Sequence, residues 1–157
     1  MARRFSRRIF MQGLAASGAL AIPYLTPRNV LGANEKINVA GVGCGGKGHS
    51  DIMKCANVGQ NIIAGCDIDG GRASKLADDV EKKGGKRPEL FADYRVMYDK
   101  MGKDIDAVTV SVPDHSHAPA AARAISMGKH AYVQKPLTHT VHEARVLRQL
   151  ARDHKVC

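Results

Sequence analysis

The sequence contains no tryptophan, three phenylalanines and four tyrosines. That scarcity removes the aromatic platforms on which single-stranded nucleic acids stack. It also lacks a stripe of one charge. The formal net charge is +9, yet residues 1–35 hold Arg3, Arg4, Arg7, Arg8 and Arg28 against Glu35 alone, a net +4. From Lys36 onward, 19 basic and 14 acidic residues are interspersed, so the clustered basic footprint of a nucleic-acid binder is missing and no such partner is expected. No apolar run reaches the roughly 20 residues needed to span a bilayer. Cys44, Cys55, Cys66 and Cys157 form no C-x-x-C pair and no zinc spacing, and no structural disulfide is expected. Internal repeats and low-complexity segments are absent too. What remains is an ordinary apolar fraction with mixed charge, which belongs to a folded domain rather than a disordered chain.

The first 33 residues read as an address. Arg3 to Arg8 form a basic region, Gly13 to Leu25 a short apolar stretch, and Pro23 and Pro27 break it. This is signal-segment architecture. Ser6-Arg7-Arg8-Ile9-Phe10-Met11-Gln12 resembles the twin-arginine export motif, with Met11 and Gln12 in place of its Leu and Lys. The resemblance implies a folded cargo handed to the twin-arginine machinery and a periplasmic or other extracytoplasmic location. The bland alternative is a basic N-terminal arm. Val30-Leu31-Gly32-Ala33 has the small residues of a cleavage site, but Leu31 fits poorly.

From Lys36 the pattern alternates strand and helix. Strands are predicted at Ile37–Val42, Asn61–Cys66, Glu89–Ala92, Ala107–Val112 and His130–Gln134. Helices are predicted at Gly46–Ala56, Gly70–Lys83, Tyr94–Met101, Ala118–Met127 and Thr140–His154. Ala73, Leu76, Ala77 and Val80 mark one helical face, and Thr140 with Glu143 makes a capping box. Short apolar strands between helices mean βαβ units and a parallel sheet covered on both faces. The chain stops at Val156-Cys157, where a further strand would begin. That ending reads as a fragment of a longer protein.

Gly41-Val42-Gly43-Cys44-Gly45-Gly46 matches G-x-G-x-x-G between a strand and a helix. In that fingerprint Gly41 makes the tight turn, Gly43 lets a pyrophosphate approach, and Gly46 permits close helix–strand packing. The helix N-terminus then faces the phosphates. The register stays open, because Gly43, Gly45 and Gly48 have the same spacing. Asp67, 21 residues after Gly46, closes the second strand where the fingerprint wants a ribose-binding acid. Its carboxylate favours NAD over NADP, with Arg72 nearby to soften the preference; the plainer role is a turn residue before Asp69-Gly70-Gly71. Gly41-x-x-x-x-Gly46-Lys47 is also most of a Walker A motif, but Gly48 stands where that motif needs a magnesium-binding hydroxyl.

Two later segments carry a resemblance. Pro113-Asp114-His115-Ser116-His117-Ala118-Pro119 and Gly128-Lys129-His130-Ala131-Tyr132-Val133-Gln134-Lys135-Pro136-Leu137 resemble the T-P-[ND]-x-x-H and A-G-K-H-V-x-x-E-K-P motifs of the Gfo/Idh/MocA family (glucose–fructose oxidoreductase and inositol dehydrogenase). With the glycine loop, the likeness covers residues 36–157. It implies a Rossmann-type doubly wound α/β domain, cut before the family's second, substrate-binding domain. It implies NAD held by Gly41, Gly43, Gly46 and Asp67, with Pro113, His117 and Gln134 toward the nicotinamide end. Lys135 would be the catalytic lysine, donating to a sugar or polyol oxygen, with Pro136 fixing the backbone that aims it, where an X-Pro bond leaves the cis form accessible. A homo-oligomeric parent is implied as well. Gln134 departs from the family's Glu, which could pair with or tune the lysine. His115 and His117, two residues apart in an expected loop, raise metal binding as an alternative, without supporting carboxylates. The functional readings are thus an exported sugar or polyol oxidoreductase, a stand-alone nucleotide-binding module, and an NAD-using glycoside hydrolase, which the family also contains.

Overall fold

The structure, a computed structural model, describes residues 36–157; the twin-arginine-like segment lies outside the described residues. Five strands, β1 (Asn38–Val42), β2 (Asn61–Cys66), β3 (Glu89–Phe91), β4 (Ala107–Val110) and β5 (His130–Val133), form one sheet in the order β3-β2-β1-β4-β5. Every pairing is parallel. The chain winds outward from β1 to β3, then crosses back to β4 and β5, so the sheet is doubly wound and its order reverses between β1 and β4. All five carboxyl ends therefore meet one edge of the sheet.

Helices cover both faces, as the continuous apolar strands require. On one face, α1 (Gly46–Asn57) and α2 (Gly70–Lys82) pack Ile52, Met53, Leu76 and Val80 against Val39 and Ile62. Ile52 and Leu76 are fully buried, and each contributes roughly 1.5–3 kcal/mol. On the other face, α3 (Tyr94–Met101), α4 (Asp114–Ser126) and α5 (Val141–His154) pack Met97, Tyr98, Ile125 and Leu147 against Ala40, Val42, Val108 and Val110. Successive residues of β1 alternate between the two clusters, because strand side chains alternate in direction. Ala120, Ala121 and Ala124 let α4 lie close to the sheet. The buried Tyr98 hydroxyl donates to the Ala120 carbonyl oxygen at 3.3 Å, which closes its polar end.

Local chemistry sets the helix starts. The Asp69 carboxylate accepts the Gly71 and Arg72 N–H groups at the head of α2, and Asp93 accepts that of Arg95 at the head of α3. Thr140 and Glu143 form the expected capping box on α5, which satisfies two otherwise orphaned N–H groups. The sequence reading goes wrong at one junction. β4 ends at Val110 rather than Val112, and α4 begins at Asp114 rather than Ala118. Proline is favoured in the first turn of a helix, which makes Pro119 look like a start. Instead the extended Pro113 caps α4, and Pro119 sits inside it, forgoing one backbone bond to the exposed His115. Beyond α5 the chain turns through Lys155 at φ 55°, and the Cys157 carbonyl oxygen accepts the Ala131 N–H at 2.7 Å.

Candidate functional site: a glycine cradle at the β1–β4 crevice

The turn after β1 is built by two glycines that tolerate no side chain. Gly43 has φ +90°, and a Cβ on it would stand 2.2 Å from the Ser111 carbonyl oxygen. A Cβ on Gly48, inside α1, would stand 2.0 Å from the Gly43 carbonyl oxygen and 3.0 Å from Ser111 Cβ. The first turn of α1, the glycine loop and the segment after β4 are thus pressed together backbone to backbone. Two expected roles move. Gly41 lies within β1, under Ile52, whose Cδ1 would be 2.2 Å from a Cβ there; it is a strand residue beneath a helix, and the turn is made by Gly43. Gly46 has φ +49° and nothing within 4 Å, so the close helix packing belongs to Gly48. Gly45 is extended, and only the flexible Arg72 side chain approaches it.

α1 has no side-chain cap and no acidic residue in its first turn. Its first N–H groups and the positive end of its dipole therefore face the mouth of the loop, a place suited to an anion. The second strand delivers Asp67 to the same rim. Its Oδ2 accepts the Cys44 N–H at 2.8 Å and its Oδ1 accepts the Asp69 N–H at 2.9 Å. Asp67 thus ties the glycine loop to the β2–α2 turn, combining the turn role with a position beside the loop. Arg72, paired with Asp69 at 3.3 Å, lies over Gly45. Burial pushes the Cys44 and Cys66 thiols up to about 12, with the Asp67 charge adding to it; both behave as inert small apolar groups.

The third and fourth segments close the edge. His117 is 2% exposed, and its Nδ1 donates to the Pro136 carbonyl oxygen at 2.7 Å. This one bond joins the Pro113–His117 segment to the Lys135-Pro136 segment, whose peptide bond is cis. Because His115 and His117 lie in helix α4, two residues apart, they face different sides. His115 is exposed and His117 is buried, so they do not form the metal pair a loop would have permitted. Gln134 continues the β5 register, donating its N–H to the Val110 carbonyl oxygen at 2.9 Å. Its side chain turns to Asp51 of α1, with Nε2 donating to Oδ2 at 2.5 Å, not to Lys135, which is exposed. Asp51, 6% exposed, also pairs with Lys47. Sequence reasoning missed Asp51. The available signal was its place beside Gly48, Ile52 and Cys55 at i, i+3, i+4 and i+7 on one face of α1.

Three buried polar atoms lack a partner in the described structure: Thr109 Oγ1, Ser111 Oγ and His117 Nε2. Thr109 lies near Gly41, while Ser111 and His117 sit at or beyond the carboxyl end of β4. An uncapped helix end, a glycine cradle and an orphaned Ser111 hydroxyl fit a ligand that brings phosphate and hydroxyl groups to the crevice.

Comparison with known proteins agrees with this geometry. Residues 36–157 match the family model described as "Oxidoreductase family, NAD-binding Rossmann fold". A "Glycosyl hydrolase family 109 protein 1" from Akkermansia muciniphila is 35% identical over 112 residues, which are 69% of this chain and 23% of that protein. An "Alpha-N-acetylgalactosaminidase" from Shewanella oneidensis is 28% identical, over 90% of this chain and 31% of its own. Among solved structures, GenD2 from gentamicin A biosynthesis, in complex with NAD, superposes with a TM-score of 0.66 at 25% identity, over 78% of this chain and 33% of that one. The chain spans about a third or less of the length of these relatives. By its glycine cradle, its sheet order and a match over all the described residues, the chain belongs to the Gfo/Idh/MocA oxidoreductase family through that family's NAD-binding Rossmann domain.

Proposed function

We propose that the chain is the NAD-binding part of an exported oxidoreductase that oxidises a hydroxyl of a sugar or polyol. The observation that carries this reading is the cradle at the β1–β4 crevice, where Gly43, Gly48 and Ser111 meet at an uncapped helix N-terminus. In this reading the working register is Gly43, Gly45 and Gly48: Gly43 for the turn, Gly45 for the approach of the diphosphate, Gly48 for close packing. Asp67 takes the adenosine ribose hydroxyls and disfavours a 2′-phosphate. The segment from Pro113 to His117 and that from Gln134 to Pro136 flank the nicotinamide end.

When bound, NAD supplies the hydride acceptor. The chain's own residues do the rest. The cradle excludes water from the diphosphate and fixes its direction. His117 holds the Pro136 carbonyl and with it the loop that presents Lys135. Lys135, exposed just past the carboxyl end of β5, donates to the substrate oxygen and stabilises the negative charge that grows there. The Ser6-Arg7-Arg8 segment supports export by the twin-arginine route to the periplasm, and the parent is a homo-oligomer in this reading.

The relatives named as glycosyl hydrolase family 109 proteins favour a second reading, a glycoside hydrolase that uses NAD transiently. The test is made on the parent protein with NAD and a panel of free sugars and aryl glycosides. Stoichiometric NADH from a free sugar establishes the dehydrogenase. Release of the aryl group with no net NADH establishes the hydrolase. NAD binding without either reaction would leave only a nucleotide-binding module.

A further inference from the structure

Asp51 is a buried carboxylate that the proposed reaction does not use. It accepts the Gln134 side-chain N–H at 2.5 Å and the Lys47 ammonium, and it stands one turn into the helix that opens at the glycine cradle. Gln134 is held at both ends, by Asp51 through its side chain and by the Val110 carbonyl through its backbone. The next residue is Lys135. We propose that Asp51 is a positioning residue: through Gln134 it locks the strand end that presents Lys135 to the helix that carries the cofactor cradle, and it is the reason position 134 bears an amide. The assignment of a role to Lys135 rests on the reading above; the lock itself does not.

The charge argument is direct. A Glu at 134 would put a second carboxylate at hydrogen-bond distance from Asp51, and two carboxylates this close cannot both stay ionised. Lys47 is the only cation paired with Asp51 among the described residues. Cys55, one turn further along α1, has its thiol raised by burial and then by the Asp51 charge. Lys54 from α1, with His130 and Tyr132 from β5, lines the same groove. With one ammonium already engaged, the group facing Asp51 from the residue after β5 must donate, and an amide does.

The test uses the whole chain and three variants: Asp51→Ala, Gln134→Glu, and the exchange Asp51→Asn with Gln134→Glu. In Gln134→Glu the pair shares a proton in the folded state, so its folded pKa lies above the unfolded value. Its melting temperature therefore falls relative to the unaltered chain as pH rises above the unfolded carboxylate value of about 4. The exchange restores an amide facing an acid and returns the parental pH profile, which a purely steric role would not do. Lysine labelling by a small acylating reagent, read peptide by peptide, reports the lock without cofactor: Lys135 gains reactivity about threefold in Asp51→Ala and Gln134→Glu against the other lysines, and the exchange reverses it. NAD affinity drops about tenfold in the two single variants. A Gln134→Glu chain with the parental pH profile and parental Lys135 labelling overturns the proposal, as does an exchange that fails to restore both. Should Asp51→Ala not fold, Gln134→Glu and the exchange still decide. Failure of the unaltered chain to bind NAD overturns the proposed function, while melting and labelling continue to judge Asp51.

Discussion

Gly48→Ala is the perturbation with the clearest structural magnitude. The added methyl would meet the Gly43 carbonyl oxygen at 2.0 Å, its carbonyl carbon at 2.9 Å and Ser111 Cβ at 3.0 Å. The two nearest atoms are backbone, and Gly43 cannot retreat, because its own position lies against the Ser111 carbonyl. α1 must therefore lift off the loop. Overpacking of this kind costs about 3 kcal/mol, at the upper end of its range, and lowers the melting temperature of a domain this size by roughly 10 °C. The displaced helix end no longer aims its N–H groups at one point, so NAD affinity falls by at least about tenfold. Gly46→Ala is the control. It meets nothing within 4 Å and pays only for its φ of +49°, about 1–2 kcal/mol. Thermal melting and NAD calorimetry on both variants give the comparison. A Gly48→Ala chain that melts and binds like the parent, or a Gly46→Ala chain that is damaged more than it, would refute the packing argument.

Other outcomes follow from the same geometry. Asp67→Ala should weaken NAD binding and narrow the gap between NAD and NADP, measured by parallel titrations; an unchanged ratio removes Asp67 from cofactor choice. The carboxyls of Asp93, Asp114 and Glu143 are held below their ordinary range, by the Arg95 side chain, the His139 side chain and the Thr140 N–H respectively. The unfolded chain therefore binds more protons, and the stability these groups give is present above about pH 4 and is lost as pH falls through their folded values. A melting-temperature profile that stays level in that acid range contradicts this. Alkylation at pH 8 should modify the exposed Cys157 and spare Cys44 and Cys66, whose burial raises their thiols to about 12, until the protein unfolds. Peptide mapping that finds Cys44 modified in the folded chain would count against the packing around the glycine loop.

Much of the fold was legible because the strands are short, β-branched and bounded by glycine or proline, and because the α2 and α5 patterns carry their own caps. The β4–α4 junction was not, since Pro119 has the appearance of a helix start and only the packing of His117 and Ala118 shows that the helix is already under way. The glycine loop was legible as a motif but not in register. Spacing alone treats Gly41 and Gly43 alike, whereas the close contacts at Gly43 and Gly48 distinguish a strand glycine from a turn glycine. His117 was expected near the cofactor, and the structure gives it a concrete bond to Pro136. Gln134 looked like a lost acid beside Lys135. Adjacent residues leaving a strand face opposite ways, and its partner is Asp51, 83 positions away in sequence, a distance no local pattern bridges.

The central claim, that this chain holds NAD across the loop after β1, is tested most directly by titrating NAD into the unaltered chain and into Gly45→Val by calorimetry, with melting curves alongside. A Cβ at Gly45 meets only the movable Arg72 side chain, and the backbone there is extended at φ −97°, so the variant should fold. The account predicts saturable one-to-one binding to the unaltered chain and none to Gly45→Val, at nearly unchanged melting temperature. A folded parent chain that does not bind NAD, or a Gly45→Val chain that binds it equally well, would contradict it.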